Sequence, residues 1–388
     1  MSDPSLAFKE QASSLREKLI GMRRELHRHP ELSHEEYETT ARIRRWLNEA
    51  DVPVIPLGLP TGVLAEVKGP RPGPTILLRA DIDALPVKEE TGLPFASTAD
   101  GVMHACGHDF HTASMIGAAM LLKQNAHLLD GTVRVLFQPA EESATGARAV
   151  IDTGALDGVT AVFGMHNKPD LPVGTVGIKT GPLMASVDRF EILVNGKGGH
   201  AGIPEAAVDP VVVCSAIVAA LQTLVSRNVS PHHSAVVSVC KLHVGSTWNV
   251  IPDSGVLEGT VRTFQPEARA AIPERMKQIV EHVAAGYGAK AELRWMPMLP
   301  AVHNDGRMAH IMRQAAERQG LHVVEAEPVM GGEDFALYQE KLPGCFVWMG
   351  TGGTEGWHHP KFTLNEDALP VSAAYFAEVA VQALRAIR

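Results

Sequence analysis

A chain of 388 residues is long for one domain, and domains of roughly 100–200 residues make two the natural expectation. With 45% hydrophobic and 20% charged residues it has the balance of a water-soluble globular protein, able to bury a large core without disulfide staples. A formal charge of −9 argues against a nucleic-acid or anionic-membrane surface, which needs clustered Lys and Arg.

The chain opens with helical spacing at Leu15, Leu19, Met22 and Leu26. Ser33 with Glu36 three positions on reads as a capping box for a second helix through Ile43 and Leu47. Short apolar runs bounded by Gly and Pro follow: VLAEV, TILLRA, VRVLF and AVFGMH, with a helical TASMIGAAMLLKQ between the second and third. Strands alternating with helices predict an α/β domain with a mainly parallel mixed sheet, whose site lies beyond the carboxyl ends of the strands.

From about residue 187 the rhythm changes. FEILV reads as a strand, and Asp209-Pro210 opens the helix VVVCSAIVAALQTLV. SAVVSVCKLHV and VLEGTVRTF alternate as strands, Pro266 starts a helix through MKQIVEHVAAGYG, and AELRWM closes the set. The order β-α-β-β-α-β predicts an inserted ferredoxin-like α+β domain at 186–298, between catalytic-domain segments 1–185 and 299–388. The last segment carries a helix near MAHIMRQAAER, a strand in CFVWMG and a final helix in SAAYFAEVAVQALRAI.

The four cysteines, Cys106, Cys214, Cys240 and Cys345, lie far apart, unlike the framework of a small secreted domain. The start MSDPSLAFKE lacks a basic residue run leading into an apolar stretch, and no stretch reads as long and apolar enough to span a bilayer. A cytoplasmic, reducing setting is therefore expected, with Cys106 free to bind metal.

The chemistry-bearing residues gather where such a fold places its site. Asp81 and Asp83 follow TILLRA, Glu141 and Glu142 follow VRVLF, His166 follows AVFGM, and a glycine-rich loop after CFVWMG leads to His358 and His359. MHACGHD, with Cys106 and His108, precedes a helix. Singly, each has an ordinary structural explanation; their shared placement after strands favours a metal site. Thiolate, imidazole and carboxylate together suit zinc, and also manganese, cobalt or nickel, and the number of ligands fits two ions better than one. His104 and His111 are weaker candidates, spacing alone does not decide between His358 and His359, and His27, His29 and His34 are expected to be solvated. In the inserted domain His200 lies in the glycine-rich GKGGHAGIP, while Asn249 and Arg262 lie in or beside strands; a guanidinium there has the geometry to hold a carboxylate.

The motifs RADIDALP, MHACGHD, FQPAEE, GMHN, GKGGHAGIP, NVIPD, EGTVRTF, MGGEDF and WHHPKF, in that order over nearly the whole chain, resemble the aminoacylase/carboxypeptidase family of two-metal peptidases, in its hippurate hydrolase and N-acyl-amino-acid amidohydrolase branch. The resemblance implies a zinc-peptidase-like catalytic domain with a smaller lid that commonly mediates dimerisation, hence a homodimer. It implies Cys106, His108, Glu142, His166 and His358 as ligands of two divalent transition-metal ions, Glu141 as general base, His200 as an oxyanion donor, which in the family often reaches a neighbouring active site, and Asn249 and Arg262 as binders of the substrate carboxylate. Other branches carry a His-x-Asp metal motif where this chain has Asp81-Ile82-Asp83, which leaves Asp83 as an orienting residue. The implied reaction is hydrolysis of N-acyl-L-amino acids, hippurate-like substrates expected, to a carboxylic acid and a free amino acid. A deacylase of N-acyl-diaminopimelate or a small carboxypeptidase would use the same site. A non-catalytic metal binder has no need of Glu141, and a redox role for Cys106 lacks a partner cysteine.

Overall fold

The computed structural model describes residues 4–387. The chain divides into two compact units, one of Met1–Gly181, His303–Glu327 and Asp334–Arg388, the other of Pro182–Val302 and Pro328–Glu333. The second unit thus begins four residues before the expected 186, and a short return segment, 328–333, belongs to it although it follows 299 in sequence.

The first unit is built on an eight-stranded sheet. Its order is Val54–Ile55, Val63–Lys68, Thr132–Gln138, Thr75–Asp81, Val159–Lys168, Gly344–Gly350, Thr175–Ile178, His322–Glu325. Four of the seven pairings are parallel, including the three that join 132–138, 75–81, 159–168 and 344–350 at the centre. Those central strands are apolar along nearly their whole length because both faces are covered. The helix His108–Gln124 is likewise buried on all sides. Gly117 lies at a close contact: a Cβ there would sit 2.8 Å from the Cβ of Ala373 and 3.0 Å from Leu19 Cδ1. This helix, Arg16–Arg28 and Ala368–Ala386 share one core with the sheet, through Leu19, Leu26, Ile116, Leu121, Phe376 and Val379.

The capping box does not form. The Ser33 hydroxyl donates to Asp83 Oδ2 (2.7 Å), and Glu36 is buried, accepting from the Ala140 N–H. The helix Tyr37–Glu49 is capped instead by the Glu31 carboxylate, which accepts from the Glu38 and Thr39 N–H groups. Long-range partners outcompeted the local ones.

The second unit carries a four-stranded antiparallel sheet ordered Ala235–Val244, Ser254–Thr263, Val187–Asn195, Lys290–Leu299. Alternate residues of its central strands, Phe190, Ile192, Val194, Leu257 and Val261, face a core completed by Val213, Ile217 and Leu221 of helix Pro210–Thr223 and Ile272, Met276 and Val280 of helix Pro266–Gly286. One expectation needs correction here. The segment Pro210–Asn228, 19 residues of mean hydropathy 1.6, is long and apolar enough to cross a bilayer by length and composition. Val213, Cys214, Ile217, Leu221 and Leu224 are apolar because they form this core.

Candidate metal centre

Parallel strands deliver the donors to one end of the sheet. Asp81 ends strand 75–81 and Asp83 follows it. Glu141 and Glu142 lie in the turn after strand 132–138. His166 is the third-last residue of strand 159–168, which runs on past it to Lys168. Gly107, at φ 83°, turns the chain from Cys106 into the helix that begins at His108, and a Cβ at Gly107 would lie 2.5 Å from Asn167 Nδ2. Three non-glycine residues of the donor loops take the left-handed conformation, Ala140 and Ala144 at φ 58° and His358 at φ 66°. Such backbone costs roughly 1–3 kcal/mol per residue and persists where its surroundings over-determine it; the His358 N–H is pinned on the Ala105 carbonyl (2.8 Å).

The side chains converge. His108 Nδ1 lies 3.2 Å from Asp83 Oδ1, while Asp83 Oδ2 accepts from Ser33 and from the Glu142 N–H (3.0 Å). That leaves His108 Nε2 buried without a hydrogen-bond partner, 3.9 Å from Glu142 Oε1, which is also buried and unpartnered. Cys106 Sγ is 3.3 Å from His166 Nε2, and the His166 Nδ1 hydrogen is held by the Asn167 carbonyl (2.9 Å). His358 Nε2 approaches Glu142 Oε1 at 3.5 Å. Donor atoms within 4.8 Å of one another form overlapping groups: Cys106, His108 and His166; Cys106, Glu142 and His358; His108, Glu141 and Glu142; and Asp81, His108 and His111. Buried donors with no partner cost free energy unless something satisfies them, and a soft–borderline set of thiol, imidazole and carboxylate fits divalent transition metals.

The electrostatics point the same way. Burial raises the Cys106 thiol well above its ordinary range, and Glu142, Glu141 and Asp81 push it further. Burial opposes protonation of His108, yet Asp81, Asp83 and Glu142 lift it to about 10. Cys106 and His108 therefore retain protons that a dication would displace.

A layer of residues that sequence reasoning had not assigned lies behind these donors. Asp81 does not share the open character of Glu142: Arg79 Nη1 donates to its Oδ2 (2.7 Å) and His111 Nδ1 to its Oδ1 (2.6 Å). The Asn167 N–H donates to His111 Nε2 (2.9 Å), which sets that tautomer, and Asn167 Nδ2 donates to the Cys106 carbonyl (2.6 Å). Although burial opposes ionisation, His108, His111 and Arg79 hold Asp81 well below the usual carboxylate range. Asp81, at the end of its strand, and His111, three residues after His108, were the legible members of this layer; Arg79 and Asn167 gave no signal beyond the motifs that contain them.

The other histidines sort by contact. His359 is exposed and its Nδ1 accepts from the Lys361 N–H, outside every donor group above. His104 is buried with neither ring nitrogen partnered, and burial lowers it to about 4. His34 and His29 are exposed, but His27 is not solvated as expected: it is fully buried between Asp109 (2.8 Å) and Glu89 (3.2 Å). In the second unit, strand Gly199–His200 pairs with Val250–Ile251, which sets His200 opposite Val250 and next to Asn249, whose carbonyl accepts from the Ala201 N–H. His200 and Asn249 are exposed and Arg262 is half-buried on strand 254–263. His200 Nδ1 accepts from the Gly202 N–H (3.0 Å), which leaves Nε2–H as the donor.

Residues 77–382 match the peptidase family M20/M25/M40. The N-acetylcysteine deacetylase of Bacillus subtilis (strain 168) is 61% identical over 372 residues, covering 96% of this chain and 98% of that one. A second Bacillus subtilis protein, an N-acetyl-L-cysteine deacetylase, is 52% identical over 94% of this chain and 87% of its own. Among solved structures, a dinuclear metal-binding M20-family peptidase from Bacillus subtilis superposes with a TM-score of 0.89 at 57% identity, covering 96% of this chain and 99% of that one. With that family match over the donor-bearing strands, the chain belongs to peptidase family M20/M25/M40 and is a metal-dependent amidohydrolase.

Proposed function

We propose that this protein hydrolyses the amide bond of N-acyl-L-amino acids, releasing a carboxylic acid and a free amino acid, with two divalent transition-metal ions held by Cys106, His108, Glu142, His166 and His358. The observation that carries the reading is the meeting of two buried, unpartnered donors, His108 Nε2 and Glu142 Oε1, with Cys106, His166 and His358 beside Glu141. Zinc, manganese, cobalt and nickel all suit that donor set. Bound ions supply Lewis acidity toward a carbonyl and a lowered pKa for water.

The chain's own residues do the rest. Glu141 takes the proton of the attacking water and passes it to the leaving nitrogen. Asp83 fixes the His108 tautomer by accepting from Nδ1, so that Nε2 faces the ligand position. His200, with Nδ1 occupied, presents Nε2–H as the donor for the developing oxyanion. Asn249 and Arg262 hold the amino-acid carboxylate, the guanidinium by paired hydrogen bonds. The β-α-β-β-α-β unit, expected at 186–298, serves as a ferredoxin-like lid and dimerisation domain of a homodimer, across which His200 acts in the neighbouring site. The catalytic domain is the remainder, 1–185 and 299–388. The proposed setting is the reducing cytoplasm, which keeps the free Cys106 as a thiol.

That two relatives are named N-acetylcysteine deacetylases supports, for this chain, a small acyl group over the benzoyl group of hippurate. A panel of N-acetyl-L-cysteine, other N-acetyl amino acids, benzoylglycine, N-acetyl-diaminopimelate and dipeptides, assayed for amine release by metal-loaded protein, tests the reading. Fastest release from N-acetyl amino acids is expected. Turnover confined to dipeptides, or to acetyl-diaminopimelate, would replace it with a carboxypeptidase or a diaminopimelate deacylase.

A further inference from the structure

The guanidinium of Arg79 is completely buried in the central strand Thr75–Asp81. A cation in that position is tolerated only when every side of it is paired. Three donors of the fork each have an acceptor: Nη1 on Asp81 Oδ2 (2.7 Å), Nη2 on Asp334 Oδ1 (2.7 Å) and Nε on Gln138 Oε1 (2.9 Å). Both carboxylates are themselves fully buried.

Two chains of hydrogen bonds leave this point. One runs from Asp81 Oδ1 to His111, from His111 Nε2 to the Asn167 N–H, and from Asn167 Nδ2 to the carbonyl of Cys106. Asn167 also follows His166 in sequence and takes the His166 Nδ1 hydrogen on its carbonyl. The other runs to Asp334, whose Oδ2 accepts from the Ala147 N–H (2.8 Å) behind the Glu141 turn and whose own N–H reaches Glu141 Oε1 (3.4 Å). Cys106 and Glu141 sit on different loops, 35 positions apart in sequence, and neither loop sets the other's position locally. Arg79 is the rigid member common to both chains.

We infer that Arg79 is a positioning residue for the reaction: through Asp81–His111–Asn167 it fixes the Cys106–His166 side of the site, and through Asp334 it fixes Glu141 against it. It touches neither substrate nor metal. The planar fork is essential, because an ammonium cannot hold two carboxylates and an amide oxygen in one plane. The same geometry accounts for Asp81 in place of a metal-binding histidine: both of its oxygens are spent on Arg79 and His111, so it serves orientation. The inference rests on the reading of Glu141 as general base.

The test uses full-length protein loaded with cobalt(II), whose thiolate-to-metal absorption reports the Cys106 geometry independently of turnover. Arg79→Lys keeps the charge and removes the fork. It is expected to lower kcat by roughly 10- to 100-fold with KM unchanged, and to shift the cobalt–thiolate band. Asp334→Asn should lower kcat without moving the band, and Asp81→Asn should move the band. These two arms decide the matter if Arg79→Lys does not fold. Wild-type kcat and band in Arg79→Lys, wild-type kcat in Asp334→Asn, or an unmoved band in Asp81→Asn would overturn the inference. Its failure is separable from that of the functional reading: an active Glu141→Gln defeats the reading, whereas an inactive Glu141→Gln beside a fully active Asp334→Asn defeats only the inference.

Discussion

Ion pairs in this protein occupy two environments, and one cluster from each unit shows the contrast. In the first unit, Arg79–Asp81 and Arg79–Asp334 have side chains that are 0% exposed, and Arg23–Asp109 is nearly as deep. In the second, Arg189 and Lys241 flank Glu258 across neighbouring strands with cation side chains 53% and 62% exposed. The exposed pairs sit in water, where screening and side-chain entropy cancel most of the attraction. The buried ones gain little net stability either, because desolvation offsets their attraction. What burial adds is direction. A buried carboxylate has few alternative partners, so its hydrogen bonds decide where the next group points.

The comparison can be broken at several places. The largest effect is expected at Asp83, the acceptor for His108 Nδ1. Asp83→Asn should weaken metal binding roughly 10- to 100-fold, read by titration against a chelator. Unchanged affinity would mean that buried carboxylates here do not orient ligands.

His27 offers a smaller, pH-dependent effect. Burial and Arg23 disfavour its charged form, but Asp109 and Glu89 outweigh them and raise it above its ordinary 6.5. A group raised in the folded state contributes stability that is complete below the unfolded value and is lost as pH rises through the folded value. The difference in Tm between wild type and His27→Gln should therefore be larger at about pH 6 than at about pH 9. A difference that stays flat across that range would remove His27 from the charged network.

The smallest effect belongs to the exposed ladder. Glu258→Gln breaks contacts to both Arg189 and Lys241, yet calorimetry should find Tm within error of wild type and turnover unchanged. A clear loss of stability would erase the distinction between the two populations.

Much of this arrangement was legible in the sequence. The central strands announced themselves as apolar runs, and Asp83, Glu141, Glu142 and His166 stood out because each closely follows or ends one. Thr175–Ile178 and His322–Glu325, four residues each, were too short to carry a period and went unread. Ser33 and Glu36 fitted a capping box by spacing, but their side chains go to Asp83 and to the Ala140 N–H. His27 lies among Arg and Glu on a helix and reads as surface; its burial depends on Asp109, 82 positions away. The Arg79–Asp334 pair spans 255 positions. No local pattern encodes a contact of that range, which is why the donors and Asp83 could be read while Arg79 and Asn167 could not.

The central claim is that Glu141 moves protons while the neighbouring donors hold metal. Glu141→Gln, compared with wild type for metal content by elemental analysis and for amine release from N-acetyl-L-cysteine, tests it most directly. The account predicts unchanged metal content with turnover reduced by roughly 10²- to 10⁴-fold. Turnover within a few-fold of wild type at full metal content would contradict it.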